Sequence, residues 1–208
     1  MVKNYIPMIN REVVEFENGD LYIITGDNSQ ASEEILFQIA VSAIEKDNKK
    51  VLYLHMDDNR ERLKVVSKEI QGALDNFKIA NISLNGLESV LAFLESQKEY
   101  DVIILSSFYK LCPRWNKRTQ DIGRTLKTIA RKLNIPILVM LNVTAHSIGM
   151  PRFEEYDELY CASTATIVME CDTCEEDAFV LKVLNNRYGK CNKGYKFIRN
   201  EVKEIIVY

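Results

Sequence analysis

Proline is scarce in this 208-residue chain, with four in all, and it never joins glycine or serine in a linker or low-complexity tract. No segment repeats. The usual marks of a domain boundary are therefore missing, and a single domain over 1–208 is expected. No apolar run approaches the ~18–20 residues that a membrane-crossing helix needs. Residues 1–15 lack the continuous apolar core of a signal peptide. The expectation is a cytoplasmic protein with no membrane contact. Histidine occurs only at His55 and His146, in neither a triad nor a metal-ligand spacing, so each reads as a partly buried or loop residue. The five cysteines are odd in number and scattered, which excludes a disulfide framework in a cytosolic chain. Cys171 and Cys174 make one Cys-x-x-Cys, and Cys161 and Cys191 could complete a four-sulfur zinc site. Asp172, Glu175, Glu176 and Asp177 surround that pair with negative charge, a poor setting for thiolates, and no metal is expected. Asp57 and Asp58 are no better as a metal site, since neighbours at a strand end point apart. An overall excess of base is missing too: 27 Lys and Arg against 30 Asp and Glu give a net charge of −3 and a pI near 5.6.

Locally the charge is uneven. Between 110 and 132, Lys110, Arg114, Lys117, Arg118, Arg124, Lys127, Arg131 and Lys132 face a single acid, Asp121. A second basic run, Lys182, Arg187, Lys190, Lys193, Lys196, Arg199 and Lys203, lies near the C-terminus. Such runs are either solvated surface or an electrostatic footprint for nucleic acid. The segment 108–118 adds Phe108, Tyr109 and Trp115 to its bases, a mixture able to stack bases and meet phosphates.

The apolar pattern predicts an α/β fold. Apolar-rich runs at 21–25, 51–55 and 77–84 read as strands, and the runs at 100–105 and 136–141 as buried strands. Helical spacing separates them: Ile35, Leu36, Ile39, Ala40, Ala43 and Ile44 in a helix ending near 46–48, then helices over 60–71, 86–98 and 120–134. The stretch 145–162 reads as irregular. After it, strands at 166–170, 178–186, 195–199 and 204–207 follow one another without helices, which predicts an antiparallel meander appended to a parallel core.

The junction after the first strand has the frame of a phosphate-binding loop. A working loop runs Gly, four residues, Gly, Lys, Ser/Thr, so that backbone N–H groups and a lysine surround the phosphates and a hydroxyl holds Mg²⁺. Here Gly26, Asp27, Asn28, Ser29 and Gln30 lead to Ala31, Ser32 and Glu33 at the positions of glycine, lysine and hydroxyl. A carboxylate beside the phosphate position repels the anion, and Ser32 leaves no cation to attract it. Gly26, Ser29 and Ser32 are what remains of a cofactor site. The bland alternative is that Asn28 or Ser29 caps a helix whose dipole favours Glu33 near its start.

This order of elements, together with three short motifs, resembles the C-terminal RecA-like motor domain of DnaB-type replicative helicases. Asn18-Gly19-Asp20-Leu21 resembles the lead into that family's first strand, the run 121–136 is similar to the helix and strand preceding its polar sensor, and Asn185-Asn186-Arg187-Tyr188-Gly189 resembles its inter-subunit hairpin. The likeness covers nearly everything from about Asn18. It implies a RecA-like P-loop NTPase fold with a mainly parallel sheet and a C-terminal antiparallel extension. It also implies catalytic positions, and these depart from the family. Asp57 stands where a glutamate polarises water, Ser106 and Ser107 follow the strand that ordinarily supplies a Mg²⁺-supporting aspartate, Asn142 replaces the glutamine sensor, and of the hairpin only Arg187 is kept while Asn185 replaces lysine. Without lysine and metal the largest electrostatic contribution to phosphoryl transfer is gone.

The resulting expectation is a degenerate, non-hydrolysing domain with no bound cofactor. It acts as a DNA-binding or assembly module whose partners are DNA, copies of itself or a replication or recombination protein. The family's DNA-facing loops correspond to 110–118 and 145–155, giving Lys110, Arg114, Trp115, Lys117 and Arg118 as nucleic-acid contacts. The alternative is a divergent helicase-type ATPase, with ATP and Mg²⁺, in which a lysine from elsewhere compensates.

Overall fold

The computed structural model describes residues 14–26, 29–55, 74–82, 86–106, 108, 121–142, 157–171, 178–189, 193–198 and 201–206. Its strands are β1 Leu21–Gly26, β2 Val51–His55, β3 Phe77–Asn81, β4 Val102–Leu105, β5 Ile137–Asn142, β6 Ala165–Cys171, β7 Ala178–Asn186, β8 Lys193–Ile198 and β9 Glu201–Ile206. The helices are α1 Ser29–Asp47, α2 Leu87–Glu95, α3 Ile122–Leu133 and α4 Asp157–Ala162. The expected helix over 60–71 lies outside the described residues.

All nine strands form one sheet in the order β3-β2-β4-β5-β1-β6-β7-β8-β9. From β3 through β6 every neighbouring pair is parallel; β7, β8 and β9 are antiparallel. The meander therefore begins one strand later than the sequence pattern suggests. β6 pairs in parallel with β1, because the connection from β5 crosses over β1 instead of turning back in a hairpin. That connection contains α4, so 145–162 is not wholly irregular. Six residues are too few to show a helical period.

Parallel crossovers share one hand, so connections running in opposite directions along a sheet lay their helices on opposite faces. After β1 the chain moves through β2 to the β3 edge, then returns through β4 and β5 to β6. Accordingly α1 packs Ile35, Leu36, Ile39 and Ile44 on one face with Tyr22, Ile24, Tyr53 and Leu138. On the other face α2, α3 and α4 bring Val90, Leu94, Leu126, Ile129 and Leu159 against Leu21, Ile23, Leu52 and Val139. With helices on both sides, alternate residues of β1 have nowhere polar to go, and all six are buried. This is why the central strands read as unbroken apolar runs.

Element ends follow from local chemistry. β3 stops at Asn81, short of the expected 84, because its partner β2 ends at His55, the register partner of Asn81. α3 stops where Asn134 adopts a left-handed conformation (φ 56°) and its N–H reaches the carbonyls of Ala130 and Arg131; Pro136 follows. At Gly19 (φ 78°) the chain turns into Asp20 with the conformation that glycine tolerates best.

Candidate functional site

In an open α/β sheet, ligands bind beyond the carboxyl ends of the strands, where outgoing connections part to opposite faces. Here that place is fixed by topology: α1 leaves β1 over one face, and the crossover after β5 leaves over the other. β1 and β5 are neighbours, and their last residues, Gly26 and Asn142, are register partners. Two residues singled out from the sequence are thus brought together. Ser29 opens α1 at this same end and Ser32 is its fourth residue. The buried polar side chains at this end are Thr25, His55 and Ser106, each at most 4% exposed. Ser106 continues from β4, its N–H donating to the Leu54 carbonyl at 2.8 Å. The burial of His55 is stronger than its sequence suggests, since a terminal strand residue looks half exposed until both faces of β2 are seen to be covered.

The junction between β1 and α1 is short. Only Asp27 and Asn28 separate Gly26 from Ser29, and from Ser29 onward the backbone is helical. The first turn of α1 contains no acid; Glu33 comes one turn later, so it is not a carboxylate at the helix start. Ser29 is itself helical, and Asn28 lies outside the described residues. Asp57 and the basic group Lys110, Arg114, Trp115, Lys117 and Arg118 also lie outside them.

Arg187 is elsewhere. β7 runs antiparallel to β6, with Asn186 beside Ala165 and Ala165 beside Tyr22. The hairpin residue therefore sits at the amino ends of β1 and β6, about 17 Å from Gly26 at ~3.3 Å per strand residue. Its Nη2 donates to the Cys161 carbonyl at 2.7 Å, and its backbone N–H to the Thr164 carbonyl at 2.9 Å.

That amino end holds a polar cluster the sequence reading did not anticipate. The Lys127 ammonium donates to the Asp20 carboxylate and to the Thr164 hydroxyl, with the Lys127 and Asp20 side chains 9% and 7% exposed. Ser163 Oγ and Thr166 Oγ1 are 3.1 Å apart, and Asn185 Nδ2 donates to Ser163 Oγ at 3.4 Å. A signal was present: Lys127 falls at helical spacing from Gly123 and Ala130, beside the Ile122, Leu126, Ile129 stripe. Counting it with the solvated bases is corrected by its burial. Of its neighbours on α3, Arg124 pairs with Asp121 at 3.5 Å and Lys132 with Glu95 at 3.2 Å.

No protein-family model and no curated protein matches this sequence. Solved structures do. A KaiC-like protein from the hyperthermophilic archaeon Pyrococcus horikoshii OT3 matches with a TM-score of 0.70 at 13% identity, over 98% of each chain. The RadB recombinase matches with a TM-score of 0.64 at 16% identity, over 91% of this chain and 92% of that one. The chain has a RecA-like P-loop ATPase fold. At these identities the likeness concerns architecture, and it includes the appended antiparallel strands because it runs nearly end to end. Among the described residues of this RecA-like domain, no helix is long and apolar enough to cross a membrane, and no group of three or more histidine, cysteine or acidic residues is placed to hold a metal ion.

Proposed function

We propose that this chain is a RecA-like domain with a degenerate nucleotide site, related to the motors of replicative helicases, which works by contact with DNA or protein and not by phosphoryl transfer. The observation that carries the reading is the two-residue junction between Gly26 and Ser29. A phosphate loop needs a stretch of non-helical backbone whose N–H groups converge on the anion. With Ser29, Gln30 and Ala31 already helical, only part of the span from Gly26 to the second-glycine position is left to form a non-helical loop. Ser32 and Glu33 supply neither the cation nor the Mg²⁺ hydroxyl, and Ser106 offers no carboxylate at the end of β4.

The contact half of the reading is supported by the aromatic and basic composition of 110–118 and by the likeness to a recombinase. On α3, internal ion pairs occupy Arg124, Lys127 and Lys132. This concentrates the expectation on Lys110, Arg114, Trp115, Lys117 and Arg118. A gel-shift series over salt concentration tests it, alongside an ATP turnover assay. The expected results are DNA binding that weakens with salt, a slope flattened by about two units in Lys117→Ala/Arg118→Ala on duplex DNA, and no phosphate release above a protein-free control. Turnover stimulated by DNA would favour the divergent ATPase instead.

A further inference from the structure

The hairpin at the amino end of the sheet presents a surface that the carboxyl-end site does not use. Tyr188 is 68% exposed, one of two large hydrophobic side chains left exposed among the described residues. Its backbone N–H is fixed by Asn186 Oδ1 at 3.2 Å, and its hydroxyl lies within the influence of the Asp20 carboxylate. Two guanidinium groups flank it. Arg187 is the preceding residue, held by the Cys161 carbonyl. Arg131 belongs to the exposed side of α3, and its Cα lies 3.5 Å from where a Cβ on Gly19 would stand, next to Asp20. The two guanidiniums pull the Tyr188 hydroxyl toward ionisation, but the Asp20 carboxylate prevails and holds its pKa above the ordinary tyrosine value. Asp20 is already matched by Lys127, and Glu17 is a further acid near this end of β1, whereas Arg131 and Arg187 make no ion pair among the described residues, unlike Arg124 and Lys132 on α3.

We propose that Tyr188, Arg131 and Arg187 form a binding patch for single-stranded nucleic acid, one base stacking on the Tyr188 ring while adjacent phosphates meet the two guanidiniums. An aromatic face accepts any base, and arginine pairs with phosphate oxygens in a fixed fork, so the patch selects a flexible phosphodiester strand without reading its sequence. A duplex, with its bases stacked inside, cannot use the ring. The patch lies at the opposite end of β1 from the strand ends that lead into 110–118. It deepens the DNA reading above and shares its premise of nucleic-acid contact, but it does not depend on those residues.

The test is fluorescence anisotropy with a labelled oligothymidylate across a salt series, using the whole chain. Tyr188→Ala is expected to weaken binding about tenfold with the salt slope unchanged, since stacking depends little on salt. Tyr188→Phe keeps the ring and loses the hydroxyl, and is expected to bind like wild type. Arg131→Gln is expected to flatten the slope by about 0.7, one phosphate contact on a single strand. If Tyr188→Ala and Arg131→Gln bind as wild type does while Lys117→Ala/Arg118→Ala loses affinity, the patch is refuted and the preceding reading stands. If Tyr188→Phe loses as much as Tyr188→Ala, stacking is refuted in favour of the hydroxyl. A wild-type chain that fails to bind even at low salt overturns both the patch and the DNA reading.

Discussion

Lys127 and Asp20 form the one buried ion pair among the described residues, and its energetics are asymmetric. Removing one partner leaves a charge in the interior, which costs about 3–5 kcal/mol, whereas removing both costs far less. Lys127→Met is therefore expected to lower unfolding free energy by about that amount in urea titrations, and adding Asp20→Asn to restore most of it. Tyr22 gives a pH dependence. Its hydroxyl accepts the Glu17 N–H at 2.6 Å and donates to the Glu15 carbonyl at 3.2 Å. Burial pushes its pKa well above the ordinary value near 10, partly opposed by the Glu17 N–H. Above pH ~10 the folded chain holds this proton when the unfolded chain has released it, so stability falls as pH rises, by up to ~1.4 kcal/mol per unit. Urea midpoints at pH 8 and pH 11 are expected to separate more for wild type than for Tyr22→Phe. The place of Lys127 beside an apolar stripe was a signal in the sequence, but its partner was not legible, since only the fold brings Asp20, far away in sequence, to it.

At the scale of elements, the long buried strands and α3 were readable because their apolar residues are continuous or evenly spaced over many positions. α4 was not, and its place depends on one glycine. A Cβ on Gly123 would come within 2.6 Å of the Glu158 carbonyl oxygen and 2.9 Å of the Leu159 Cα, so α3 and α4 touch through backbone. Gly123→Ala is expected to destabilise by about 1–3 kcal/mol through overpacking, despite the ~1 kcal/mol that alanine contributes to a helix interior; a raised midpoint in urea would show that α4 yields instead. The β1–α1 junction makes a sharper prediction. Its residue deficits were legible, and capping by Asn28 or Ser29 would already have put the helix start at Ser29 or Gln30, close to where α1 begins. Ala31→Gly, Ser32→Lys and Glu33→Thr together supply the missing side chains without lengthening the turn. They are expected to produce no saturable ATP binding in a fluorescence titration, and binding by that variant would mean the junction can open into a loop.

Across the whole molecule, the alternation of strand and helix predicted the class, and the strand order added what no local pattern contains. It places Gly26 and Asn142 side by side at one end of the sheet and Arg187 at the other, so that Arg187 cannot serve this chain's own β1–α1 junction. It also separates the last parallel strand, β6, from the meander: parallel and antiparallel buried strands share one composition, and only the crossover past β1 tells them apart. The central claim is that this RecA-like fold has kept its architecture and lost its nucleotide site. Isothermal titration of ATP into the wild-type chain, with and without Mg²⁺, tests that most directly. The account predicts no saturable heat in either titration; micromolar binding that requires Mg²⁺ would contradict it.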